Sequence, residues 1–171
     1  MKVLIPFQGM SQYDQSIAAE LQGSACGPTT AAAILKHHEK QDYDVNDLYR
    51  TLGTTRIGLF TWRFKRKLNR FGPKRYRVTK IRSIDQVKEE LLQGRPMAMK
   101  FDRYFSFRWR LPSSYKYHWV PLIGFEEQPD DLILYIHDNG KRNRPSKIQA
   151  VSYRQNRQVL TFLKIIPIQT D

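Results

Sequence analysis

The sequence predicts an α+β fold in which an N-terminal helix carrying Cys26 packs on an antiparallel sheet carrying His118 and Asp138. Two observations predict the layered part of this. Helix-forming stretches crowd the first half of the chain and strand-like stretches the second, and the later segments are joined by connections too short for parallel crossovers. The 171 residues suit one domain spanning 1–171. A chain of that size buries about 70% of its unfolded surface and needs no staples.

Taken in order, the first 25 residues read as polar and irregular, with Pro6, Gly9 and Gly23 as breakers. A helix starts at Cys26-Gly27-Pro28 and runs through TTAAAILKHHEK, with proline favoured at the first position and the alanines adding propensity. A short second helix covers Asn46 to Leu52. Leu59 to Asn69 reads as an amphipathic helix ending near Phe71-Gly72-Pro73, because Leu59, Phe60, Trp62, Phe64 and Leu68 recur among basic residues. Tyr76 to Ile81 reads as a strand. Ser83 to Gln93 reads as a helix capped by Ser83 and stopped by Gly94. Met97, Met99 and Phe101 alternate with Ala98 and Lys100, which marks a strand. HWVPLIGF, DLILYIHD, KIQAVSY and QVLTFLKII complete the sheet.

Bulk properties narrow the setting. One cysteine excludes an internal disulfide and suits a reducing compartment. MKVLIPFQGM is too short in apolar residues for a signal-peptide core, and no run of eighteen apolar residues occurs. The expectation is a soluble, cytoplasmic protein with no membrane span. The net charge of +13, from 29 Lys and Arg against 16 Asp and Glu, points to an anionic partner or to a solvated basic surface. Four scattered histidines and one cysteine lack metal-ligand spacing, and no Gly-rich phosphate loop is present, so no cofactor is expected.

Cys26 sits where the first long helix begins. Unpaired N–H groups and the helix dipole there favour a thiolate, so the thiol pKa is expected to fall, with small neighbours leaving the sulfur accessible. A base is then needed. His37 and His38 lie roughly 15 Å along the same helix, at 1.5 Å per residue, and read as favourable charges near its C-terminus. If the hairpin of HWVPLIGF and DLILYIHD is symmetric about Gln128, His118 lies opposite Asp138, with Cβ atoms roughly 4.5–5.5 Å apart. That spacing lets a carboxylate hold one imidazole tautomer. A one-residue slip would exchange Asp138 for His137 or Asn139. An oxyanion would be met by the Cys26 N–H and by a glutamine amide, from Gln8, Gln12, Gln15 or Gln22.

The run GSACGPTTAAAIL, then HWVPLIGF and LYIHDNG, resembles the bacterial double-glycine-leader peptidases and their stand-alone relatives, within the papain-like clan. The resemblance implies Cys26 as nucleophile, His118 as base and Asp138 as orienter, in a cysteine peptidase working through a thioester. It also implies that the oxyanion glutamine follows a short strand like Leu4-Ile5-Pro6, which favours Gln12 and leaves Gln8 and Gln22 open. The chain departs from that family in following Asp138 with Asn139-Gly140 instead of proline, and residues 53–116 match no family motif.

The implied partner is a peptide or protein substrate, an acidic one suiting the surface charge; no oligomer is read from the sequence. A rival reading uses other residues. Ten Lys or Arg fall between Arg63 and Arg82, and FDRYFSFRWRLPSSYKYHW interleaves aromatics with arginines directly before His118. Such surfaces hold single-stranded nucleic acid by charge and stacking, which would make the chain a catalytically silent binding module for nucleic acid or an acidic partner.

Overall fold

The computed structural model describes residues 1–71 and 75–168. Its elements run β1 (Lys2–Leu4), α1 (Ala19–Gln22), α2 (Cys26–Glu39), α3 (Val45–Thr51), α4 (Thr61–Leu68), β2 (Tyr76–Ile81) and α5 (Ile84–Leu92). There follow β3 (Met97–Asp102), β4 (Tyr117–Glu127), β5 (Leu132–His137), β6 (Ile148–Ser152), α6 (Tyr153–Asn156) and β7 (Leu160–Pro167). The strands form one sheet in the order β2-β7-β3-β4-β5-β6, with β1 also paired to β4. All its pairings are antiparallel.

Both faces of the sheet are covered, which explains why β3 and β4 are buried almost throughout. Alternation sorts their side chains. Ala98, Trp119, Leu163 and Ile165 pack with α2, α3 and α4 around Ile34, Leu48 and Phe64. Met97, Met99, Phe101, Val120 and Leu122 pack on the opposite face with Val87 and Leu91 of α5 and with Leu134 and Ile136 of β5. The alanines Ala31, Ala32 and Ala33 are at most 1% exposed, and their small size lets α2 lie close to the sheet.

Four local expectations are corrected. The first 25 residues contain β1, which pairs Leu4 with Gly124. Glycine is needed there, because a Cβ on Gly124 would stand 2.3 Å from the Val3 carbonyl oxygen. Second, Pro28 occupies the third position of α2, still inside the first turn where its missing N–H costs nothing. Third, Ser83 sits at the N-cap of α5 in extended backbone but makes no capping bond. The side chain of Asp44 does cap α3, accepting from the Asn46 N–H at 2.7 Å. Helix α4 ends at Leu68, so its expected end at Phe71-Gly72-Pro73 lies too late and partly outside the described residues.

The hairpin register differs too. β4 continues to Glu127, which pairs with Leu132, and the turn is Gln128–Asp131. Between Leu122 and Gly124 the register shifts by a bulge, leaving Leu122 opposite Ile136. Extending that register puts Val120, not His118, opposite Asp138. The ladder pairing expected for His118 and Asp138 is therefore absent.

Candidate active site

The two residues are brought together by other means. β5 ends at His137, and Asp138 leaves the ladder with its N–H donating to the Lys147 carbonyl at 2.9 Å. A cavity of about 320 Å³ then opens between the start of α2 and the start of β4, and Gln12, Cys26, His118 and Asp138 all line it.

Cys26 is the first residue of α2, and its side of the cleft is closed by Leu59 and Tyr117. A Cβ on Gly27 would lie 2.7 Å from Leu59 Cβ, so only glycine lets that segment lie against the helix start. Leu59 is fixed in turn, because its carbonyl accepts from the Trp119 indole and from the Tyr117 hydroxyl, both at 2.8 Å. The result is a cysteine only 5% exposed, not an open one. Burial pushes its thiol above the ordinary range. The N–H groups of Trp119, Gly27 and Cys26 itself, with the charge of Lys100, pull the other way without prevailing. The expected fall in pKa is thus reversed by desolvation. Lys100 is a buried cation in mid-strand, ion-paired to Asp102 at 2.9 Å and lying over the Tyr117 and Trp119 rings.

The His118 ring lies tilted against Tyr115, with ring centroids 4.9 Å apart. Burial pushes its imidazole down to about 4, against the attraction of Asp138. Both shifts favour the neutral forms, thiol and imidazole. Alkylation of Cys26, followed by intact mass, is expected to climb with pH through and beyond the free-thiol value of about 8.5. A plateau well below that value would instead mean a resting ion pair.

Burial works against the charge of Asp138, which is only 2% exposed, yet its carboxyl is held below the usual range. The donors responsible are Arg144 Nη2 at 2.6 Å and the N–H groups of Gly140 at 3.0 Å and Lys147 at 3.1 Å. Gln149 Nε2 also donates to Asp138, while Gln149 Oε1 accepts from the Tyr115 hydroxyl at 3.1 Å. Asp138 thus reaches His118 through its charge and through the Gln149–Tyr115 pair that flanks the ring.

Of the four candidate glutamines, Gln12 alone is placed in the wall of this cavity. It is buried, its N–H donates to the Asn139 carbonyl at 2.9 Å, and Nε2 donates to the Gln22 carbonyl at 2.7 Å, leaving a second Nε2–H. Gln22 turns its own amide to the Asp14 and Ile17 carbonyls. Gln8 lines a different cavity beside His37, and Gln15 is exposed. His37 and His38 are not resident cations at the end of α2, since burial lowers both, His38 to about 4.

Asn139 ties the parts together and was not singled out from sequence. Its Nδ2 donates to the Trp119 carbonyl at 2.7 Å, the Cys26 carbonyl at 3.1 Å and Thr30 Oγ1 at 3.1 Å. The signal was its place after Asp138, where the resembling family has proline.

Three solved structures share this architecture. A protein from Bacillus anthracis described as a C39-like peptidase superposes with a TM-score of 0.68 at 13% identity, over 100% of this chain and 99% of that one. The peptidase domain of Streptococcus ComA, a bi-functional ABC transporter of a quorum-sensing pathway, gives 0.57 at 16% identity and 98% coverage of both chains. A double-glycine-motif protease from an AMS/PCAT transporter, solved with its leader peptide, gives 0.58 at 15%, over 97% of this chain and 95% of that one. The fold is thus that of the papain-like C39 peptidases. No curated protein sequence matches. The model of the Peptidase_C39 like family matches residues 4–163, and the chain belongs to that family of cysteine-type hydrolases. Among the described residues, no helix is long and apolar enough to cross a membrane.

Proposed function

We propose that the chain is a cysteine peptidase working through Cys26, His118, Asp138 and Gln12. The observation that carries this is the single cavity those four residues line, with the cysteine at a helix start and the carboxylate fully engaged by donors. Because the resting pair is neutral, the Cys26 proton passes to His118 as sulfur attacks the acyl carbon. The oxyanion is met by the Cys26 N–H and the second Nε2–H of Gln12. His118 then protonates the leaving amine, and a thioester remains on Cys26. Water, giving its proton to His118, releases the acid and restores the thiol. Asp138 stays ionised throughout and stabilises the transient imidazolium. The leader peptide bound by the transporter protease supports a peptide as the substrate class.

The test is capture of the intermediate. After brief incubation with a mixed peptide pool and an acid quench, intact mass is expected to show an acyl adduct on Cys26, labile to hydroxylamine and absent from Cys26→Ala. Hydrolysis that persists in Cys26→Ala would remove the proposal.

A further inference from the structure

The mouth of the cleft carries charge of one sign. Arg56, Lys116 and Lys141 line the same cavity as Cys26, and all three are exposed. Among the described residues, none of the three forms an ion pair with a carboxylate. The one carboxylate in the cavity wall, Asp138, is consumed by Arg144 and by backbone donors. Among the described residues, no acidic side chain is left there to answer those cations. Lys116 also borders a second cavity of about 410 Å³, whose other walls are Arg103, Tyr104 and Trp109. Tyr104 and Trp109 are 58% and 60% exposed, so an aromatic shelf with one further cation, Arg103, continues from the cleft through Lys116.

We propose that this cleft selects an acidic, extended peptide, with carboxylates flanking the scissile bond at Arg56, Lys116 and Lys141 and an apolar side chain resting on the Tyr104–Trp109 shelf. The proposal rests on the reading of Cys26 as nucleophile and names its substrate class. The cations share one cavity with Cys26, so the anion they fit belongs to the molecule being cut, which favours a polypeptide over a nucleic acid. A basic peptide is excluded by the same charges, since like-charge juxtaposition at an interface is costly. Exposed pairs are individually weak, each changing affinity by about twofold to fivefold, so three acting together yield about a tenfold preference or more.

The test uses the full chain and three pools of fluorogenic peptides with randomised centres, flanked by Asp and Glu, by Ser and Gln, or by Lys and Arg. At low salt the acidic pool is expected to give a kcat/KM about tenfold or more above the neutral pool. The ratio should fall toward one near 1 M salt, where the screening length is about 3 Å. The double variant Arg56→Glu, Lys141→Glu should erase the preference, bringing the acidic and neutral pools to the same kcat/KM. Equal cleavage of the acidic and neutral pools by the native chain would overturn the proposal while the peptidase reading stood. If no pool is cleaved and no adduct forms on Cys26, the peptidase reading falls, and fluorescence anisotropy with Cys26→Ala decides the selection separately. Tighter binding of the acidic pool than of the neutral one would support it; tighter binding of a single-stranded oligothymidine would overturn it.

Discussion

Asn139→Asp is expected to destabilise the protein by about 3 kcal/mol or more, measured by denaturant unfolding. The Nδ2 group faces three oxygens, the carbonyls of Trp119 and Cys26 and the hydroxyl of Thr30. Asp replaces that donor by an oxygen. In a site 1% exposed the new carboxylate would either stay charged without a partner or take up a proton that satisfies one acceptor of three. Asn139→Ala should cost less, about 1–3 kcal/mol, because it removes the bonds without adding repulsion. A catalytic loss should accompany both, since the same side chain links the helix start at Cys26 to the strand that begins beside His118. Should Asn139→Asp prove as stable as the native chain, Asn139 would not be the tie described above.

Asp138→Asn is expected to lower kcat about 10³–10⁴-fold with a smaller change in KM, by analogy with triads in which the orienting carboxylate becomes an amide. The geometry gives a specific reason. The partners of Asp138 are all donors, namely Arg144, Gln149 Nε2 and the N–H groups of Gly140 and Lys147. An amide meets them with one oxygen and an NH2 that repels the rest, so Gln149, and with it Tyr115 against His118, must shift. The charge that favours imidazolium is lost as well. Stability adds a second readout. The folded carboxyl of Asp138 lies below its unfolded value, so its contribution is present above about pH 3.9 and is lost as pH falls through the folded pKa. The native chain should therefore lose stability on acidification below about pH 4, and Asp138→Asn should start lower and fall less. A variant with native kcat would show that Asp138 is an internal strut only.

Much of this was legible where the signal is local. The start of α2 at Cys26 follows from a proline and alanine pattern read over a few residues, and β2 matches its expected span from Tyr76 to Ile81. Alternation in Met97–Phe101 marked a strand, and the structure has one at Met97–Asp102. What failed depends on distant chain. The hairpin register turns on a bulge in β4 beside Gly124, where β1 approaches from over a hundred residues away in sequence. β1 itself is three residues long, too short to show a period. The shielding of Cys26 comes from Leu59 and Tyr117, and no inspection of GSACGPTT could reveal it. His118 and Asp138 still line one cavity, because Asp138 leaves the ladder where the loop through Arg144 and Lys147 folds back.

The bonds from Asn139 to Cys26 and from Gln12 to Asn139 span most of the chain. Loop closure over such distances comes late in folding. During synthesis, a ribosome that has not yet released residues 138–149 holds Cys26 without the Asn139 tie and without its proposed orienter, Asp138. The proposed triad can therefore assemble only after residues 138–149 have been made.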